Sequence, residues 1–308
     1  MTPHASDTTA SDQDAAEHAD GVEGDQHADG AGDSSDGEYD GSQDSDVEPD
    51  PEGADPAVEA TFEEALKEGV SRLRRNKRSL FATGAVGGID LAVGVLALLV
   101  VEHATGSKML GSLAFSIGFI ALILARSELF TENFLVPIAA VVASEGTVPQ
   151  VLRLWGGTGL FNLVAGWVMM ALIVLGVPDI RESAVLQELG RHFIEAGITF
   201  GTFASAVLAG AIMTLMTWME RANSDIVGKL VAAIAAGFLL AATPLLHSIV
   251  SSLEMFGSLI AGADFGYADW AGMFGWAVLG NMVGGIGLVT MIRFFQVGRE
   301  AIQARRDD

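Results

Sequence analysis

One histidine lies within an otherwise apolar stretch of the chain. His247 follows Pro244 closely, and its neighbours on both sides are leucine, isoleucine and valine. An ionisable side chain is costly at membrane depth and usually faces a substrate path. Histidine changes charge near neutral pH, so His247 could hold an anion when protonated or pass it a proton. The alternative is a histidine whose ring is satisfied by a carbonyl of a neighbouring helix.

A polar run interrupts a second apolar stretch earlier in the chain. The run Arg-Ser-Glu-Leu-Phe-Thr-Glu-Asn starts at Arg126 and contains Glu128, Phe130, Thr131 and Glu132. Thr131 could donate a hydrogen bond to a substrate, with exposed backbone amides as further donors. The alternative is a structural loop in which Arg126 and Glu128 pair with each other or with Glu132. We expect the carboxylates to be structural, and Phe130 and Thr131 to face the path.

Four other polar residues lie within apolar segments. Asn162 and Asn281 are each next to small residues, a setting typical of hydrogen bonds between closely packed helices, and we interpret both as structural. Asp90 and Glu254 face either a subunit interface or a cavity. Residue type alone gives neither carboxylate a catalytic role.

The composition of the chain divides near residue 60. The 308 residues are 50% hydrophobic, yet the formal net charge is -22. Residues 1–60 contain 19 Asp and Glu and no Lys or Arg, whereas the remainder has 20 acidic and 17 basic residues. An acidic segment with few large apolar residues cannot bury a core, so we predict a disordered tail over residues 1–60.

Several function classes are excluded by residue usage. The chain has no cysteine, which removes disulfides, thiolate metal sites and cysteine nucleophiles. It has no extended basic surface of the kind that binds nucleic acid, and we expect no nucleic-acid partner. No catalytic constellation surrounds His247 in the sequence, so we predict neither an enzyme nor a metal or cofactor site.

The remaining residues predict an all-α integral membrane protein. Residues 61–78 form an amphipathic pattern with a basic end, typical of a helix on a membrane surface. A six-helix transmembrane domain follows at 79–297, and a cytoplasmic C-terminal tail at 298–308. Its six apolar segments are each long enough to cross a bilayer: residues 80–101, 109–143, 151–177, 198–219, 230–260 and 270–295.

The second and fifth segments are too long for one straight crossing, and polar residues interrupt both. Lipid cannot satisfy the backbone groups of such interruptions, so both must lie inside the protein. The two asparagines are 119 residues apart, and Thr131 and His247 are 116 apart. These offsets predict two copies of a three-helix unit, the second inverted, because three crossings is an odd number.

Basic residues predict the orientation. With six crossings, 13 Lys and Arg residues lie on one side and three on the other. The positive-inside rule therefore places both termini in the cytoplasm, in a multi-pass protein of the plasma (inner) membrane surrounded by lipid.

Five motifs, in order, resemble the formate/nitrite transporter family over roughly residues 67–295. They are Gly111-Ser-Leu-Ala-Phe-Ser-Ile-Gly118, Ser127-Glu-Leu-Phe-Thr-Glu-Asn133, Phe161-Asn-Leu-Val-Ala-Gly166, His247-Ser-Ile249 and Gly280-Asn-Met-Val-Gly-Gly285. The resemblance implies an aquaporin-like protomer in a homopentamer, with one path per protomer for a small anion such as formate or nitrite. It also implies that His247 is the central histidine and that Thr131 hydrogen-bonds it. Phe115 would belong to one apolar constriction and Leu240 to the other, where the family has phenylalanine.

Two positions depart from the family pattern. The family has a lysine that leads into its fourth helix, yet no lysine occurs between Lys108 and Lys229, and Arg191 and His192 are out of register. A family asparagine in the same helix is Gly210 here. From the resemblance we expect a proton-linked anion transporter or channel. Because of these departures we keep two alternatives: a channel of the same fold for a small neutral solute, and a non-conducting membrane scaffold.

Overall fold

The computed structural model describes residues 55–307, whose regular elements are all helical. They are α1 (Pro56–Leu73), α2 (Lys77–Thr105), α3 (Lys108–Ala125), a 3₁₀ turn (Phe130–Phe134), α4 (Val136–Val142), α5 (Val148–Gly176), α6 (Pro178–Arg181), α7 (Ala184–Ala196), α8 (Phe200–Ala222), α9 (Ile226–Ala242), α10 (Ser248–Ile260), α11 (Tyr267–Met282), a π-helical segment (Val283–Thr290), α12 (Met291–Val297) and α13 (Arg299–Asp307). The acidic tail predicted for residues 1–60 lies outside the described residues up to residue 54.

The length and composition of these helices fit a membrane protein. Five are long and apolar enough to cross a bilayer: α2, α3, α5, α8 and the continuous unit Tyr267–Val297. Three shorter apolar stretches accompany them: Phe130–Val142, Ile226–Ala242 and Ser248–Ile260.

Helix α1 begins and ends at strong local signals. The side chain of Asp55 accepts a hydrogen bond from the amide of Ala57, and Pro56 occupies the first helical position. Asn76 then caps the next helix. The helix therefore starts five residues before the predicted start at residue 61 and ends before the predicted end at residue 78.

The apolar face of α1 packs against protein. Phe62, Leu66 and Leu73 are buried, and the Phe62 ring meets the Phe294 ring edge to face at 5.6 Å between centroids. The helix contacts α4, α8 and α12. The amphipathic pattern predicted a helix on a membrane surface; in the structure, neighbouring helices cover its apolar face instead.

Both predicted interruptions are present. Helix α3 ends at Ala125, and Arg126 adopts a left-handed conformation with φ of 53° before the 3₁₀ turn leads into α4. Helix α9 ends at Ala242, Pro244 follows, and α10 starts at Ser248. Proline cannot continue the hydrogen-bond ladder of a helix, which explains the second break. Below, the segment between α3 and α4 is the first break and that between α9 and α10 the second break.

Glycines permit two very close helix contacts. A Cβ on Gly88 would lie 2.2 Å from the carbonyl oxygen of Asn162, and one on Gly210 would lie 2.1 Å from that of Asn281. Helix α2 therefore packs on α5, and α8 on α11, with backbones in contact. A glycine at position 210 has a steric reason, since even a Cβ there would clash with the Asn281 carbonyl.

Helix α7 was not predicted. It has 13 residues, fewer than a bilayer crossing requires, so the length of apolar segments does not predict it. Ser183 caps its start, and its apolar face, which includes Leu186 and Phe193, is buried. The helix packs against α10 and forms one wall of a cavity described below.

Candidate functional site

The two breaks meet at a pair of side chains 116 residues apart in sequence. Thr131 Oγ1 lies 2.8 Å from His247 Nε2. Both side chains are fully buried. The structure therefore brings together the two residues that the sequence singled out for chemistry.

The hydrogen bonds of His247 assign its proton. Nδ1 accepts a bond from the backbone N–H of Val250 at 3.2 Å, which caps the start of α10. A neutral ring with an unprotonated Nδ1 carries its proton on Nε2, so Nε2 donates to Thr131 Oγ1. The Thr131 hydroxyl proton has no acceptor among the described residues, which leaves it free to donate.

Asn162 holds the first break in place. Its Oδ1 accepts from the N–H of Phe130 at 2.8 Å, and its Nδ2 donates to the carbonyls of Gly84 at 2.7 Å and Glu128 at 2.9 Å. One amide side chain thus ties α5 to α2 and to a segment without helical hydrogen bonds. Such bonds satisfy backbone groups that lipid could not.

Asn281 does the same for the second break. Its Oδ1 accepts from the N–H of Ser248 at 2.9 Å, and its Nδ2 donates to the carbonyls of Ala206 at 2.8 Å and Leu246 at 3.0 Å. Each bond has a counterpart around Asn162, displaced by 118 to 122 residues.

Two glycine contacts follow the same spacing as the asparagine bonds. A Cβ on Gly166 would meet Leu253 at 2.2 Å, and one on Gly285 would meet Phe134 at 2.9 Å. The two glycines are 119 residues apart, and so are Phe134 and Leu253. The same offset of 119 residues therefore relates both members of these two contacts.

The predicted apolar site residues lie in one core cluster. Phe115 on α3 and Leu240 on α9 are both buried in it, and these two helices pack against each other. Phe115 also contacts the ring of Phe119, with 5.7 Å between centroids. Phe130 belongs to the same cluster and packs edge to face on Phe134 at 5.1 Å.

A buried arginine from α1 neutralises the carboxylates of the first break. Arg72 Nε lies 2.8 Å from Glu128 Oε1 and 2.7 Å from Glu68 Oε1, and Arg72 Nη1 lies 3.4 Å from Glu132 Oε2. Arg75 also pairs with Glu128. Below, these five residues are called the arginine network.

The sequence analysis offered pairing of Glu128 with Arg126 or of Arg126 with Glu132, and the structure shows neither pair. Arg126 is exposed, and its backbone caps α3. Glu128 and Glu132 pair instead with Arg72, which comes from a different helix. The only sequence signal for this contact was the basic end of the amphipathic segment, which we assigned to lipid.

The ionisation of α1 follows from this network. Burial disfavours the charge on Arg72, but Glu128, Glu132 and Glu68 outweigh that effect and raise the pKa of Arg72. Burial likewise opposes the charge on Glu68, and the charge and hydrogen bond of Arg72 lower the pKa of Glu68 below its usual range. Both groups therefore stay charged near neutral pH.

Two cavities lie at opposite ends of the antiparallel helices α3 and α9. The first, about 390 Å³, is lined by the end of α3, the start of α9 and four residues of the arginine network: Glu68, Arg72, Arg75 and Glu132. We call it the α1 cavity. The second, about 70 Å³, is lined by Glu102, Lys108, Glu188, His192 and Pro244 together with apolar residues of α7. We call it the α7 cavity. Helix α3 has 18 residues, so the cavities are separated by about 27 Å of helix.

The α7 cavity is lined by a lysine that the sequence analysis did not assign to the path. Lys108 lies at the start of α3 and lines this cavity with His192. Arg191, the other candidate, lies near the surface with its guanidinium 3.9 Å from Asp264. Lys108 was overlooked because the family pattern directed attention to the fourth transmembrane segment.

The sequence of residues 59–295 matches the family model described as formate/nitrite transporter. The chain belongs to the formate/nitrite transporter family. Members of this family are membrane transporters and channels and not enzymes, in agreement with the apolar helices of this chain.

Relatives and solved structures within the formate/nitrite transporter family agree. The inner membrane protein YfdC of Escherichia coli (strain K12) is 25% identical over 80% of this chain and 81% of its own. The formate channel BtFdhC of Bacillus thuringiensis is 24% identical over 77% and 93%. An FNT family ion channel superposes with a TM-score of 0.69 at 18% identity, covering 76% of this chain and 98% of its own. A pentameric formate channel with formate bound gives 0.59 at 20% identity, covering 71% and 96%.

Proposed function

We propose that this chain is a proton-linked transporter or channel for small monovalent anions of weak acids, of the formate and nitrite class. The observation that carries the proposal is the contact between Thr131 and His247. It joins two helix breaks inside a bundle whose helices α3 and α9 have a cavity at either end. Formate channels among the relatives support this substrate class.

The substrate path runs between the two cavities, past Phe115, Leu240 and Phe130. An anion that enters so apolar a region loses its hydration at a high cost, whereas the neutral acid does not. The free hydroxyl proton of Thr131 holds the anion, and a protonated His247 transfers a proton to it. The substrate then crosses the apolar constrictions as a neutral acid.

Protonation of His247 is coupled to the helix cap. A second proton on the ring must occupy Nδ1, which accepts the Val250 amide in the neutral state. The protonated ring therefore gives up its cap on α10. This loss disfavours a long-lived imidazolium and favours rapid transfer of the Nε2 proton to the anion.

The assembly follows from the same symmetry. The paired bonds of Asn162 and Asn281 and the equally spaced contacts of the glycines support an inverted repeat of two three-helix units with aquaporin-like topology. The pentameric formate channel supports a homopentamer with one path per protomer. Basic residues support cytoplasmic termini in the plasma membrane, so the α1 cavity faces the cytoplasm and the α7 cavity faces outside.

One observation favours a second candidate, a channel for a small neutral solute. The α7 cavity holds two carboxylates, Glu102 and Glu188, against one lysine, Lys108. Such a cavity has no excess positive charge to attract an anion.

Liposomes with the purified protein distinguish the two candidates. We expect formate uptake above that of empty liposomes, inhibited by nitrite, and no accelerated swelling with glycerol. Swelling with glycerol in the absence of formate uptake would contradict the anion proposal and support a neutral solute.

A further inference from the structure

A buried carboxylate on α10 has no partner and no role in the site described so far. Glu254 is 5% exposed. Within residues 55–307, no group donates a hydrogen bond to its carboxylate and no cation lies within ion-pairing distance. A buried carboxylate without a partner is costly, which is why such groups mark functional positions in membranes.

Glu254 lies on the same face of α10 as His247. His247, Ser251 and Glu254 are spaced at i, i+4 and i+7, so their side chains follow one stripe along the helix. Seven residues of helix correspond to about 10 Å, and Ser251 lies between the two ends. The Ser251 hydroxyl is buried and has no hydrogen-bond partner within the described chain.

Helix α7, which lines the α7 cavity, packs on α10 next to the far end of this stripe, where the Ser258 hydroxyl donates to the Leu186 carbonyl. Lys108 and Glu102 both act electrostatically on Glu254, and both line that cavity with Glu188 and His192 of α7. Helices α5 and α11 cover other sides of α10. Their charged residues are bonded elsewhere: Arg153 to the Leu73 carbonyl and Asp269 to the Gly266 amide.

We propose that Glu254 is the proton acceptor of the α7 cavity and that Ser251 relays the proton from it to His247. This inference rests on the proposed function and adds the residues that supply the proton. Glu254 takes a proton from water in the cavity and releases it through the Ser251 hydroxyl and bridging water to His247 Nδ1. The Nε2 proton then passes to the anion at Thr131, which leaves as a neutral acid.

The orientation of the His247 ring sets the direction of proton transfer. Nδ1 points to the first turn of α10, where Ser251 and Glu254 follow, whereas Nε2 points to Thr131 on the first break. One proton enters at Nδ1 and one leaves at Nε2, so the ring is neutral again with its proton on Nδ1. The cap re-forms when water gives a proton to Nε2 and takes the proton from Nδ1, with no net change of charge. One anion and one proton cross together, and no net charge moves.

The test measures formate influx and internal acidification in liposomes as external pH is lowered. For the wild type we expect influx that rises as pH falls and is insensitive to membrane potential. Glu254→Gln should lower influx about a hundredfold, the lower end of the contribution of a positioned proton-transfer group, and flatten its pH profile. Glu254→Asp should restore part of the profile.

Matched variants separate the relay from general damage. Ser251→Ala should lower influx, whereas Ser252→Ala should not, because Ser252 lies on another face of α10 and bonds Trp270. Glu195→Gln, which removes an exposed carboxylate of α7, should leave the pH profile unchanged. Infrared difference spectra should show a titrating carboxylic-acid band in the wild type and in Glu195→Gln that is absent in Glu254→Gln.

The outcomes distinguish the two proposals. A Glu254→Gln protein that assembles like the wild type and keeps its pH profile would overturn the relay and leave the proposed function standing. Equal influx in Ser251→Ala and the wild type would show that Ser251 does not relay the proton. A wild type that carries no formate would overturn both proposals.

Discussion

At the scale of single residues, the proposed transfer of a proton to the anion depends on where the protons lie around His247 and Thr131. The cap on Val250 fixes the neutral ring with its proton on Nε2, and the Thr131 hydroxyl therefore keeps a proton for the substrate. The sequence predicted Thr131 as a hydrogen-bond donor but not the position of the ring proton, since residue types do not report which nitrogen accepts a backbone amide.

Thr131→Val tests this hydroxyl. Valine keeps the shape of threonine and removes the donor, and a hydrogen bond to a charged group contributes about 1.5–3 kcal/mol, so formate influx should fall at least about tenfold. Thr217→Val is the matched control, because the buried Thr217 hydroxyl bonds only to the Met213 carbonyl of its own helix. Equal influx in both variants would contradict the assigned role of Thr131.

At the scale of elements, close backbone contact explains why position 210 is a glycine. Gly210→Ala should place a Cβ 2.1 Å from the Asn281 carbonyl oxygen, and such overpacking costs about 1–3 kcal/mol. The midpoint of thermal unfolding of the purified oligomer should therefore fall. Gly275→Ala should leave it unchanged, since a Cβ there meets no atom within 4 Å. An unchanged midpoint for Gly210→Ala would show that α8 and α11 are farther apart than described.

Helix α1 is held to the first break by charge. Arg72→Met would leave Glu128 and Glu132 without a buried partner, and loss of one member of a buried ion pair costs about 3–5 kcal/mol. We expect α1 to detach, which a spin label on Lys67→Cys reports as increased mobility, in a chain with no natural cysteine. Arg74→Met, at a position that is exposed at the end of the helix, should leave the mobility unchanged.

The same label tests the pH range of this attachment. The pKa of Glu68 is lowered in the folded protein, so its contribution is complete above the ordinary glutamate value of about 4.3 and is lost as pH falls through the lower folded value. The contribution of Glu68 should therefore be constant above about pH 5, and label mobility should increase as pH falls further. Equal acid dependence of the mobility in Glu68→Gln and the wild type would contradict the role of Glu68.

The sequence predicted elements well where one rule dominates. The length of apolar segments indicated the candidate spans, and polar residues within them indicated both breaks. An ionisable group is costly in lipid, so it is expected where protein or water surrounds it. The asparagines were correctly interpreted as links between helices. The sequence did not predict α7, which is too short for a span, or the contact of Arg72 with Glu128, since ion pairs between distant segments depend on tertiary packing.

At the scale of the whole molecule, large apolar residues on the outer faces of α3, α5 and α8 are exposed in the single chain. Lipid and neighbouring protomers of the proposed pentamer would cover them. We expect chemical cross-linking in native membranes to give a ladder that ends at five subunits. A ladder that ends at one or two subunits would contradict this assembly.

Formate influx of His247→Ala, compared with the wild type in liposomes at about pH 5 and about pH 7.5, shows whether His247 links the proton to the anion. We predict pH-dependent influx in the wild type, faster in acid. In the variant, loss of the protonatable ring should remove this pH dependence and the accompanying acidification of the interior. Influx and pH dependence equal to those of the wild type would show that His247 does not link the proton to the anion.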